Sequence, residues 1–191
     1  MASLPAMARA KRPTRSGSPL WRFSLALYRR PGVADACLTL QDRCGADVNL
    51  LLFLLWLAAS RCRLAPAQLT EIDATVREWR NNVVVPLRRL RRALKHDAPL
   101  VAPAVAERFR SRIKTMELKA ERLQQEASYA LALSLKRGAA DTSPDAAARA
   151  NVAAYQHFLR QAFPPAAVEV LLRACAEAAG GGAKRTSRPR R

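Results

Sequence analysis

Glycine and aromatic residues are both scarce in this chain: 7 of 191 residues are glycine and 6% are aromatic. Together with 12 prolines in no repeating period, that composition excludes collagen and low-complexity disorder, and it disfavours a strand-rich barrel or sandwich. Long apolar runs are missing too. The longest, Leu50 to Ala59, is half of the ~20 residues needed to cross a bilayer, so it reads as a buried helix. The N-terminal segment has no apolar stretch of the kind a secretory signal needs. Pro5, Pro13, Pro19 and Pro31 interrupt any amphipathic transit helix there.

The four cysteines, Cys37, Cys44, Cys62 and Cys175, form no Cys-x-x-Cys pair, and neither His96 nor His157 lies near them in sequence. Zinc and a redox dithiol are therefore poor readings. Free thiols acting as small hydrophobes in a reducing cytoplasm are the expectation. Enzymatic signatures are absent as well: no Gly-x-Ser-x-Gly elbow, no phosphate loop ending in lysine, no His-Glu-x-x-His. Asp141 and Asp145 flank Ser143-Pro144 rather than forming the acid-rich helix that would hold magnesium. His157, beside Tyr155 and Phe158, reads as a packed or surface histidine rather than a general base. No pattern asks for a cofactor or a metal, and catalysis is disfavoured.

What the chain does have is apolar content, half of all residues, and positive charge, 33 Lys and Arg against 15 Asp and Glu. The charge divides into parts with different meanings. Residues 1–17 carry Arg9, Lys11, Arg12 and Arg15 with no acid, and residues 184–191 carry Lys184, Arg185, Arg188, Arg190 and Arg191 with no acid. Half of the net +18 thus sits in tails expected to be flexible, and the rest belongs to the body. Such a surplus suits contact with nucleic acid or an acidic protein through counterion release. Arginine-rich coding without any anionic partner explains it as well, since Arg outnumbers Lys 27 to 6.

Proline and glycine punctuate the chain at helix-length intervals. The expectation is an all-α, single-domain bundle of about eight helices over residues 18–179, with 1–17 and 180–191 as tails. Ser18-Pro19 caps a first helix to about Arg30, and Pro31-Gly32 breaks it. A second runs from Val33 to Arg43, with Gly45 as its left-handed stop. Val48 to Ala59 is apolar all round, so it must be the enclosed central helix. Leu69, Ile72, Val76, Trp79 and Val83 mark a fourth helix, Ala67 to Asn82. Pro86 begins a fifth, with Leu87, Leu90 and Leu94 inward. A long sixth helix runs from Pro103 to about Lys136. Phe109, Ile113, Met116, Ala120, Leu123, Ala127 and Ala130 form a heptad seam on it, which packs either on an antiparallel neighbour in the same bundle, the favoured reading, or on a partner chain as a homodimer. Gly138 to Thr142 reads as a loop, Ser143-Pro144-Asp145 starts a seventh helix, and 165–179 forms the last.

Two places could carry function. On the fifth helix, Arg88, Arg92 and Lys95 stand at i, i+4 and i+7 with Arg91 alongside, so several cations share one surface and can meet successive phosphates or an acidic partner. No aromatic is interleaved to stack bases, so sequence-specific reading is not expected, and a solvated helix face is the bland alternative. At the turn between the second and third helices lie Gln41, Asp42, Arg43, Asp47 and Asn49. Two carboxylates beside a buried helix could hold a ligand or activate a water. Capping is the favoured account: Asp47 falls two residues past Gly45, where an N-cap is needed, and Asp42 has arginines within reach.

Finally, residues 20–59 carry Leu-Trp-Arg-Phe-Ser-Leu-Ala-Leu-Tyr, then Pro-Gly-Val-Ala-Asp-Ala-Cys-Leu-Thr-Leu-Gln-Asp-Arg-Cys-Gly-Ala-Asp-Val-Asn-Leu-Leu-Leu-Phe-Leu-Leu-Trp-Leu-Ala. With Val84 to Arg92 and Glu117 to Arg122, the stretch from Leu20 to Leu135 resembles a bacterial family of uncharacterised small helical proteins. The resemblance implies a bacterial cytosolic protein and brings no activity, substrate or catalytic residue.

Overall fold

The computed structural model describes residues 17–96, 101–134, 139–140 and 143–183. They form an all-α bundle. The basic segments 1–16 and 184–191, and with them most of the expected tails, lie outside the described residues, as does Asp141.

Helix α1 spans Pro19–Tyr28, and the Ser18 hydroxyl accepts a hydrogen bond from the Trp21 N–H as its N-cap, with Pro19 in the first turn. Helix α2, Val33–Cys44, ends at Gly45 with φ +65°, a left-handed conformation that glycine adopts without strain. Helix α3, Val48–Ala59, starts at once from Asp47, whose side chain accepts from the Asn49 N–H. Leu50 through Leu55 and Ala58 are all buried, because α1, α6, α7 and α8 all pack against α3. The enclosed central helix is as its composition requires.

Helix α4, Pro66–Trp79, and α5, Val85–His96, are one continuous rod rather than two helices separated at Pro86. A π-helical stretch, Arg80–Val84, joins them. The Val85 N–H reaches back five residues to the Arg80 carbonyl. Pro86 has no N–H to continue an α pattern, and the wider turn absorbs the misfit without breaking the rod. Leu90 on α5 is exposed, not inward.

Helix α6, Pro103–Ser134, is the 32-residue element expected, but it buries a different face. Phe109, Met116, Leu123, Ala127 and Ala130 of the seam are exposed, while Glu117, Gln124, Gln125 and Ser128 join Ala106 and Ala120 inside. The cause is the surface that α6 meets. The start of α3 offers Asp47 and Asn49, and α5 offers Arg88 and Arg91, so a polar face finds partners there and an apolar one would not.

Helix α7, Pro144–Leu159, is capped by Ser143, and α8 is Pro165–Ala183, running through Gly180, Gly181 and Gly182 beyond its expected end at 179. A two-residue antiparallel ladder pairs Cys62–Arg63 with Ala139–Ala140, inside the stretch read as loop. Asn151 of α7, fully buried, clamps this corner: its amide oxygen accepts from the Leu64 N–H at 3.0 Å, and its NH2 donates to the carbonyls of Leu54 (3.1 Å) and Cys62 (3.0 Å). All four thiols are free. Burial pushes the Cys37 thiol up to about 12, and burial with the nearby Asp145 charge raises Cys175 to about 11. Both behave as apolar side chains. No helix among the described residues is long and apolar enough to cross a membrane.

Candidate functional site

The left-handed turn at Gly45 delivers Asp47 to the head of α3, and there its oxygens are consumed. Oδ1 accepts the Asn49 N–H at 2.9 Å; Oδ2 accepts from Gln124 Nε2 at 2.6 Å and from Arg80 Nη1 at 3.1 Å. The Asp47 N–H donates to the Tyr155 hydroxyl at 2.8 Å. Arg80 also reaches Asp73 at 2.7 Å, and Asp73 in turn accepts two bonds from Arg77. This chain of charges ties α3, α4, the π turn, α6 and α7 together and commits both Asp47 oxygens, at 6% side-chain exposure, to partners within the bundle. Asp42 lies elsewhere, exposed on α2, where Arg92 donates to both of its oxygens at 2.8 and 3.1 Å. Its burial is slight, and hydrogen bonds from Arg92 and Gln41 overcome it to hold the carboxyl below its usual value. Asp42 and Asp47 together line a smaller cleft of about 580 Å³.

The basic helix is also less free than its spacing implies. Arg88 donates to Glu117 at 3.1 Å and Glu121 at 2.6 Å, Arg91 grips Glu117 through two nitrogens, and Arg92 is held by Asp42. Of the four cations singled out, Lys95 alone pairs with no carboxylate among the described residues. Glu117 and Glu121 sit one turn apart on α6. Burial raises the Glu121 pKa against the pull of Arg88. The hydrogen bond to Glu117 raises the Arg91 guanidinium pKa.

Behind these ion pairs opens a larger cleft of about 830 Å³ between α1, α2, α3, α5 and α6. One wall is apolar and aromatic: Trp21, Leu25, Tyr28, Leu38, Val48, Leu52 and Leu118. Partial burial lifts the Tyr28 phenol pKa above its ordinary value. The other wall is cationic: Arg29, Arg88, Arg91, Arg92, Lys95 and Lys114 against the two carboxylates of Glu117 and Glu121. Arg29, Lys95 and Lys114 make no ion pair among the described residues. Amides complete the lining. Gln41 and Asn49 are there, and so is Gln125, whose Nε2 donates to Asn49 Oδ1 at 2.9 Å. The Gln125 Oε1 and the Ser24 hydroxyl are buried and find no hydrogen-bond partner among the described residues.

The two patches read separately from sequence thus meet at one place. Gln41 and Asn49 from the first, and Arg88, Arg91, Arg92 and Lys95 from the second, face the same cleft, while Asp42 and Asp47 are withdrawn into ion pairs. Sequence reasoning missed Ser24, Tyr28, Arg29, Glu117, Glu121 and Gln125 as members of a site. One signal was available: Glu117 and Glu121 stand one turn apart on α6, so they share a face and can meet cations of a neighbouring helix together. No three of His, Cys, Asp and Glu converge as metal ligands among the described residues.

A family model described as a protein of unknown function (DUF2390) matches residues 19–127, more than half of the chain. No curated protein and no solved structure matches the chain.

Proposed function

The chain belongs to the DUF2390 family of proteins of unknown function, and on that premise we propose, from its cleft alone, that it binds a small anionic molecule with an apolar body. The observation that carries this reading is the pairing of opposite walls in one open cavity. A ring or acyl chain lies against Trp21, Leu25 and Leu52 and gains from leaving water. Its carboxylate or phosphate meets Arg29, Lys95 and Lys114, cations with no internal carboxylate among the described residues. Gln125 Oε1 and the Ser24 hydroxyl offer hydrogen bonds to a donor on the ligand's inner end, and supplying that donor recovers what their burial costs. Nothing in the cleft resembles a nucleophile with its base, so binding rather than catalysis is the reading. The four free thiols fit a reducing compartment such as the cytoplasm.

The test uses a pair of fluorescent probes: anilinonaphthalene sulfonate, which is anionic, and phenylnaphthylamine, its neutral counterpart. Both should bind. Changing Lys95→Ala together with Lys114→Ala should weaken the sulfonate by about 10-fold, on the scale of one charge-assisted contact, and leave the neutral probe unchanged. Failure of both probes to bind at ~100 μM, a concentration at which even a modest ~10 μM site would fill, overturns the proposal. Equal weakening of the two overturns the anionic part.

Net charge of +18 favours one further reading, an anionic macromolecule or acidic protein laid over the outside of α5, where Arg89 and Lys95 are exposed. Its mark is salt dependence: on duplex DNA, affinity falls by ~0.9 log units per phosphate engaged for each tenfold rise in salt. A flat response removes it.

A further inference from the structure

From the apolar stripe left on the outside of α6, we infer that the chain pairs with a second copy of itself through this helix, antiparallel, about a two-fold axis between Lys119 and Ala120. Phe109, Met116, Leu123 and Ala130 recur at intervals of exactly seven, with Val105 and Ala127 on the same face. The bundle covers none of them fully: Val105, Phe109, Met116 and Leu123 are 45% to 56% exposed. Trp79, itself partly open, extends the stripe sideways, since its indole N–H donates to the Ala120 carbonyl at 3.0 Å. A contiguous apolar stripe left open along a helix is the kind of surface that marks an interaction site.

Three arguments name a second copy as the occupant. The first is area. The open parts of these side chains amount to on the order of 600 Å² per copy, close to the ~800 Å² per partner of a stable interface. Complementarity of size comes second. The two-fold places Phe109 opposite Ala130 and Met116 opposite Leu123, so each large side chain meets a smaller or equal one, as interdigitated helices need. Direction follows from charge. A parallel pair stacks Arg108, Arg112 and Lys119 each on its own copy, whereas the antiparallel pair parts Arg108 and Arg112 from their own copies and carries Arg112 to within one position of Glu126 of the second copy. That carboxylate already accepts from its own Ser18 N–H at 2.8 Å and lies 3.8 Å from its own Arg122. Only Lys119 meets itself beside the axis, and its long stem can turn its ammonium to water.

The test is light scattering on the full chain, followed by variants on the stripe. The mass should be that of a dimer at ~10 μM, where an interface with a Kd near 1 μM is mostly filled. Met116→Glu and Leu123→Glu, both on exposed positions that leave the bundle's interior untouched, should each give a folded monomer with unchanged circular dichroism. Under mild oxidation, Lys119→Cys should give a covalent dimer and Phe109→Cys should not, because the two-fold brings only the former near its own copy. A monomer of the parent chain at ~100 μM overturns the inference and leaves the stripe to another occupant, such as residues 1–16 or an acidic helix of a different protein. A dimer that survives both glutamates, or one cross-linked through Phe109→Cys in place of Lys119→Cys, overturns it as well.

Discussion

At the scale of single residues, Asp47 shows how far local rules reach. Its capping role follows from position alone, two residues after a left-handed glycine and one before an apolar run. Its other partners do not, because Arg80, Gln124 and Tyr155 stand 33, 77 and 108 positions away. Replacing Asp47→Ala removes the cap and strips one counter-charge from Arg80 and the acceptor of Gln124, and should cost about 3 kcal/mol in urea denaturation. Asp47→Asn keeps an acceptor for the Asn49 N–H and leaves Arg80 with Asp73, so its loss should be nearer ~1 kcal/mol. Equal losses would mean that the charge, not the cap, dominates. The same limit applies to the arginines of α5. Spacing puts Arg88, Arg91 and Arg92 on one surface, but only packing shows that Glu117, Glu121 and Asp42 already hold them.

At the scale of elements, starts and stops were the legible part. Ser18, Gly45, Asp47 and Ser143 mark boundaries through chemistry confined to one turn. Gly45 gives a clean check. Its φ is +65°, yet a Cβ there would meet nothing within 4 Å, so Gly45→Ala pays for backbone strain alone. The expected loss is about 1 kcal/mol, read as a shift of the denaturation midpoint, and a loss of ~3 kcal/mol or more would show that the α2–α3 turn is tighter than its surroundings indicate. Which face of a helix turns inward was less legible. The heptads of α6 predicted an apolar seam inside, and the bundle instead took the face with Glu117, Gln124, Gln125 and Ser128, because polar groups of α3 and α5 awaited it. Periodicity reports that a stripe exists; the neighbour decides whether it is buried. Likewise Pro86 read as a helix start, and a π turn let the rod pass through it.

At the scale of the molecule, the enclosed helix α3 was the feature most securely read, since a segment with no polar side can only be surrounded. The cleft as a whole was not legible, for it needs five helices to form: α5 brings Arg88, Arg91, Arg92 and Lys95 to the cationic wall, but the apolar wall that faces them is assembled from α1, α2, α3 and α6. The surroundings of α3 also set a condition on where the chain may be cut. Two of its flanks are α7 and α8, beyond residue 127, and Asn151 of α7 holds the Leu54 carbonyl. A polypeptide of residues 17–127 spans the region by which the family is recognised but would leave that side of α3 bare. It should aggregate or melt without cooperativity, where the full chain gives a sharp transition by calorimetry. On that outcome the stretch that identifies the family is a signature rather than a self-sufficient folding unit, and the residues after 127 are the far wall of the sleeve around α3.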